Sequence, residues 1–159
     1  MIIKGLIDED IINYKEISMV IEFPYCNFKC DKECGIAVCQ NSNLTKEPNI
    51  DIDYPTLIER YKNNYITKAI VMQGLEPLDS FSDIMNFLLF LRRIYGCKDD
   101  VVIYTGYTET EVEPLIKYLQ EYENIIIKFG RYIPNQEPHL DPVLGVNLAS
   151  DNQYAKKIC

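Results

Sequence analysis

Four of the chain's six cysteines lie in one short run, Cys26-Asn-Phe-Lys-Cys30-Asp-Lys-Glu-Cys34-Gly-Ile-Ala-Val-Cys39. Several thiolates on one short loop can converge on a single iron–sulfur cluster. Four ligands would close such a site. Three on a cubane leave one iron open to a further ligand, the logic of the open position on a catalytic metal. A structural zinc site is the alternative, but it usually draws paired cysteine knuckles from separate parts of a chain. Unligated thiols are the third reading, and spacing alone favours the cluster without closing the other two. Cys97 follows a helix-ending glycine and reads as a lone thiol. Cys159 is terminal and is expected to be mobile. His139, the sole histidine, stands among prolines with no second histidine to share a metal.

The cysteine run must be held by the elements around it. Apolar runs and helical patterns alternate along the chain. The pattern predicts strands over Ser18–Phe23, Lys68–Met72, Val101–Thr105 and Asn124–Phe129, the last three followed by Gly74, Gly106 and Gly130. Helices are predicted over Tyr54–Tyr61, with Asp53 as N-cap and Pro55 in the first turn, and over Ser80–Tyr95, ended by Gly96. The face formed by Phe81, Met85, Leu88, Leu89 and Leu91 reads as ordinary packing. A further helix is predicted over Thr108–Tyr122, with Pro114 as a point of interruption. Pro134, Pro138 and Pro142 rule out a long helix after Arg131; that tail is expected to be an ordered loop ending in a short edge strand.

Strands separated by helices at this spacing imply βαβ units and an α/β fold with a mostly parallel sheet. About four or five strands are too few for a closed eight-stranded barrel. An open doubly wound sheet and a partial, open TIM-like barrel both remain, the second being preferred. Ligands of parallel sheets bind at the carboxyl ends of the strands, and the cysteine run directly follows the first strand.

At 159 residues, 47% hydrophobic and 25% charged, the chain suits one globular domain, residues 1–159. A net charge of -8 and the lack of any basic cluster beyond Arg92-Arg93 and Lys156-Lys157 argue against nucleic-acid binding. No apolar run is long enough for a membrane span. The first ten residues turn acidic before a signal-peptide core could form, so a soluble cytoplasmic protein is expected. Clustered cysteines there favour metal or redox chemistry over disulfides.

Cys26-Asn-Phe-Lys-Cys30 resembles the first half of the radical S-adenosylmethionine signature, Cys-x3-Cys-x2-Cys, with Phe28 at its usually aromatic or apolar position. Gly74-Leu-Glu-Pro-Leu78 is similar to that superfamily's Gly-Gly-Glu-Pro motif, with Leu75 in place of the second glycine. Cys39-Gln-Asn41-Ser42, Val102-Ile-Tyr-Thr-Gly-Tyr107 and Leu148-Ala-Ser-Asp-Asn-Gln153 resemble segments of the small activating enzymes of anaerobic (class III) ribonucleotide reductase. These matches run in the family's order from Cys26 to Gln153. The chain departs from the signature at the third ligand: three residues precede Cys34 and eight precede Cys39. Cys39 is preferred because it carries the Asn41-Ser42 context, with Cys34 as the alternative.

The resemblance implies a [4Fe-4S] cluster on Cys26, Cys30 and Cys39, with S-adenosyl-L-methionine as second cofactor. Reductive cleavage of the sulfonium would yield methionine and a 5′-deoxyadenosyl radical. It implies that Gly74, Glu76 and Pro77 shape the cofactor loop, Glu76 meeting the methionyl ammonium or fixing the loop. Phe28 would lean on the adenine, Tyr104 and Thr105 would line the next strand end, and Asn41, in the Cys-x-Asn that closes the cysteine loop, would be among the cofactor-binding residues. Asn152 and Gln153 would close over the cofactor or cap the last loop. The implied partners are a large glycyl radical enzyme, anaerobic ribonucleotide reductase, and an electron donor such as flavodoxin or ferredoxin. Two other functions compete: a radical enzyme acting on a small molecule, and a non-catalytic iron–sulfur or zinc module. Binding of S-adenosylmethionine separates the last from the other two.

Overall fold

The computed structural model describes residues 1–159. Its strands are β1 (Ile2–Ile3), β2 (Gly5–Asp10), β3 (Ser18–Phe23), β4 (Ile50–Asp51), β5 (Ala69–Gly74), β6 (Asp100–Tyr104), β7 (Ile125–Phe129), β8 (His139–Asp141), β9 (Val146–Leu148) and β10 (Tyr154–Lys157). Its helices are α1 (Lys29–Cys34), α2 (Tyr54–Asn63), α3 (Phe81–Leu89) and α4 (Glu109–Leu119). Short 3-10 turns cover Ser42–Lys46 and Pro77–Ser80, and a π-helical turn over Phe90–Ile94 prolongs α3.

Six strands form one mixed sheet in the order β10-β7-β6-β5-β3-β2. β3, β5, β6 and β7 run parallel, each beside its predecessor, while β2 and β10 pair antiparallel at the two edges. The sheet therefore ends in two separate edges and does not close. Alternation along each parallel strand sends side chains to two cores. Met19, Ile21, Phe23, Ile70, Met72, Val101, Ile103, Ile125, Ile127 and Phe129 join a cluster built with α2, α3 and α4. Val20, Val71, Val102 and Ile126 face the other way, against Tyr14, Leu144 and Leu148. All three long helices thus cover one face, and the β8–β9 hairpin with the segment around Tyr14 covers the second. Burial on both faces explains why these strands read as unbroken apolar runs.

Local signals account for the helix starts. Asp53 accepts from Thr56 N at 2.8 Å, with a proline in the first turn of α2. Thr108 and Glu111 form a reciprocal capping box on α4. Pro114 lies inside α4 without interrupting it. The helix expected to reach Tyr95 is α3 plus the π turn, and Leu89 on its expected apolar face is 43% exposed. Cys159 is held rather than loose, its thiol lying against the Leu119 and Tyr122 carbonyls. Cys97 packs against the main core. No helix is long and apolar enough to cross a membrane.

Candidate functional site

A cavity of about 340 Å³ opens at the carboxyl ends of the parallel strands, within the range of small-molecule sites. Its wall includes Cys26, Cys30, Cys39, Asn41, Gly74, Glu76, Tyr104 and Thr105. Gln153 belongs to the wall too, whereas Phe28, Cys34, Pro77 and Asn152, also expected at the site from the sequence, do not. Phe28 takes a left-handed backbone, φ 52°, as N-cap of α1, and its N–H donates to Cys26 Sγ at 3.2 Å. Pro77 is buried in the turn that follows Glu76.

One carboxylate brings Cys39 back toward Cys30. Asp31 Oδ1 accepts from both Val38 N and Cys39 N at 2.8 Å. It folds the chain after Gly35 back onto α1, so the long spacing between Cys30 and Cys39 closes up in space. Asn41 then donates from Nδ2 to Gly74 O at 2.9 Å, tying this loop to the end of β5. Burial pushes the Cys26 thiol up to about 11 and the Cys30 thiol up to about 12, and the charge of a Cys39 thiolate acts on both in the same direction. No three His, Cys, Asp or Glu side chains stand close enough to hold a single metal ion. Thiolates on a cubane bind separate irons, so they need to border a common space rather than meet at one point.

Glu76 organises the opposite wall. Its Oε1 accepts from Thr105 Oγ1 at 2.8 Å and from Leu78 N at 3.1 Å, and its Oε2 accepts from Gly106 N at 2.8 Å. Its own N–H donates to Tyr25 O at 2.7 Å, next to Cys26. Burial raises this carboxyl from 4.5 to about 7, although the three donors pull it back. Between those values the folded chain keeps a proton that the unfolded chain has lost. Stability therefore falls as pH rises through that window and levels off above it. The expected amplitude is on the order of 3 kcal/mol. Unfolding in urea across this range, for wild type and Glu76→Gln, should give a stability difference that moves against the wild type as pH rises; a flat difference would refute the assignment.

α1 buries none of its residues, so polar contacts must hold it. Lys29 Nζ and Arg131 Nη2 both meet Glu111 Oε1, at 2.6 and 2.7 Å, and Arg131 Nε lies 3.4 Å from Glu33. Arg131, then Lys29, holds the Glu111 carboxyl well below the usual range. Asn27 donates to the Tyr107 hydroxyl at 2.8 Å, which donates to Asp79 at 2.7 Å. The thiol-bearing helix is thus latched to α4 and to the chain after β7. Glu111→Ala is expected to raise amide hydrogen exchange across Lys29–Cys34 severalfold while leaving the strands unchanged. Unchanged exchange in α1 would mean the latch carries little.

Gln153 and Asn152 act on loops. Gln153 Oε1 accepts from Ala149 N and Ser150 N, and Asn152 Nδ2 donates to Arg131 O at 2.9 Å. His139 lies on β8, with a buried Nδ1 that has no partner.

Sequence reasoning overlooked Asp31 and, Tyr104 apart, a polar row across the sheet. Each parallel strand carries one polar side chain near its carboxyl end: Glu22, Gln73, Tyr104 and Lys128. Alternation puts all four on the face away from the helices. Glu22 pairs in register with Gln73, and Tyr104 with Lys128. Gln73, Tyr104 and Lys128 line the cavity. The signal was a charged residue inside an otherwise apolar strand, Ile125-Ile-Ile-Lys-Phe129.

Compared with models of known protein families and with curated protein sequences, the chain matches none.

Proposed function

We propose that this chain cleaves S-adenosylmethionine reductively with a cysteine-bound iron–sulfur cluster and generates a glycyl radical on a large partner enzyme, in the manner of anaerobic ribonucleotide reductase activases. The observation that carries this reading is the shared cavity: Cys26, Cys30 and Cys39 border it together with Gly74 and Glu76, and Cys34 does not. Three thiols would hold a 4Fe–4S cluster and leave one iron for the sulfonium cofactor. When bound, that cluster would supply the low-potential electron that the cleavage requires.

The chain's own residues supply binding and order. Glu76, with both oxygens engaged by its own loop and the β6 end, fixes the turn after β5 beside the thiols. That arrangement favours the loop-fixing role, while a carboxylate with three donors still has room to accept from a ligand ammonium. Asn41 holds the third thiol's loop against Gly74. Half-burial of the thiols limits water around the site.

The finer architecture belongs to the same reading. Sequential parallel strands with every long helix on one face are what a segment of an open TIM-like barrel would have. Since the β8–β9 hairpin covers the other face, a partner's glycine loop would enter at the carboxyl ends of the strands, where the cavity opens. Among competing functions, the resemblance of Cys39-Gln-Asn41-Ser42 and of residues 102–107 and 148–153 to the activases favours a protein partner over a small-molecule substrate.

The test is anaerobic. The protein is reconstituted with iron and sulfide, reduced, and given S-adenosylmethionine; 5′-deoxyadenosine is quantified. Product that depends on reductant and is lost in Cys30→Ala supports the proposal. A full cluster without product, with or without candidate glycyl radical partners, rejects it in favour of an electron-transfer or structural site.

A further inference from the structure

We infer that Lys128 anchors a carboxylate of the ligand that fills the cavity, which on the function proposed above is the amino-acid end of S-adenosylmethionine. The inference rests on that function and assigns a residue that the cysteine and Glu-Pro motifs leave out.

Lys128 is 7% exposed and lines the cavity. Its ammonium has three protons to donate, yet its one hydrogen-bond partner is Gly130 O at 2.8 Å. That carbonyl is shared with Gln153 Nε2, 3.2 Å away. The Tyr104 ring centroid lies 5.9 Å from Nζ and offers only its face. The carboxylate whose charge reaches Lys128 is Glu76, but the two form no ion pair, and Glu76 accepts instead from Leu78, Thr105 and Gly106. Burying an ammonium with so few partners is costly. A side chain kept in that state beside a cavity is completed by what enters the cavity. Burial lowers its proton affinity, to about 8, and Glu76 opposes the shift.

The charge pattern selects the ligand. Three cations and one carboxylate line the cavity, but Lys29 and Arg131 are both paired with Glu111, which leaves Lys128 on β7 as the cation without a carboxylate partner and Glu76, just after β5, as the carboxylate. A phosphate would find only Lys128 free of a carboxylate partner, since Lys29 and Arg131 are held by Glu111, and would stand beside Glu76. A zwitterionic amino-acid group suits both, its carboxylate toward Lys128 and its ammonium toward Glu76. β6, between β5 and β7 in the sheet, sets the separation of the two charges.

The experiment measures binding by calorimetry, without turnover, on the reconstituted protein. The probes are S-adenosylmethionine and its decarboxylated analogue; the proteins are wild type and Lys128→Met. Wild type should prefer S-adenosylmethionine, and Lys128→Met should weaken it by roughly 10- to 100-fold while leaving the analogue unchanged. The variant should melt no lower than wild type, since it removes a buried charge. Undiminished S-adenosylmethionine binding by Lys128→Met overturns the inference, as does equal loss of both probes, which would assign Lys128 to cavity structure. If wild type with a full cluster binds neither probe, the proposed function falls, and the inference with it.

Discussion

Replacing Cys39 with alanine is expected to abolish cluster assembly, and replacing Cys34 is expected to leave it intact. The spacing of the run does not decide between them, because Cys34 lies closer in sequence to the usual third position. Cys34 is the last residue of α1, followed by Gly35 at φ 70°, and it does not border the cavity. Cys39 does, because Asp31 receives its amide and that of Val38. Loss of one of three thiolates leaves an iron without its protein ligand, so iron and sulfide content after reconstitution should drop to background in Cys39→Ala. Asp31→Ala should show a partial version of the same defect with every thiol present, because it frees the fold-back. Assembly surviving in Cys39→Ala and failing in Cys34→Ala would reverse the ligand assignment and remove the main support for the proposed function.

That example marks where sequence reading stopped. The parallel strands and the three long helices were legible because burial on both faces leaves apolar runs and because caps and glycines punctuate them. β2 was not, since Gly-Leu-Ile-Asp-Glu-Asp offers few apolar positions and its register shifts between Ile7 and Asp10. An edge strand with one neighbour needs less apolar surface than a central one. The tail was read correctly as a loop returning to an edge strand, but its β8–β9 hairpin, which covers a sheet face, rests on contacts of Leu144 and Leu148 that no local pattern reveals. At the site, nine of the residues singled out by type and motif share one cavity wall. The wall's remaining order comes from Asp31, Glu111, Arg131 and Lys128, whose partners are distant in sequence or arise from chain reversal. Charged residues in loops ordinarily read as solvated, and only the folded chain distinguishes these.

Gly74→Ala is expected to be the most damaging single-methyl change in the chain. Gly74 ends β5 at φ 102°, a backbone conformation that costs a side-chain-bearing residue on the order of 1–3 kcal/mol. A Cβ there would also sit 2.7 Å from Phe23 N and 3.0 Å from Glu22 Cα, both backbone atoms of the adjacent strand. Neither can yield without parting β3 from β5 at the point where Leu75 N bonds Phe23 O and Glu76 N bonds Tyr25 O. Strain and clash together should remove roughly 3–5 kcal/mol in urea unfolding, in the range of the largest single-site losses. The functional loss should exceed the stability loss, because the same contact sets Cys26 beside Glu76 and gives Asn41 its acceptor. Leu75, in the position of the resembling motif's second glycine, has no such constraint, so Leu75→Gly should cost about 1 kcal/mol from backbone freedom and lost packing. A Gly74→Ala protein as stable as wild type would show that the β3–β5 edge can relax. The cavity would then have to be regarded as adaptable rather than set by the sheet, and the close approach of the two strands could no longer explain why glycine stands at the head of the Glu-Pro turn.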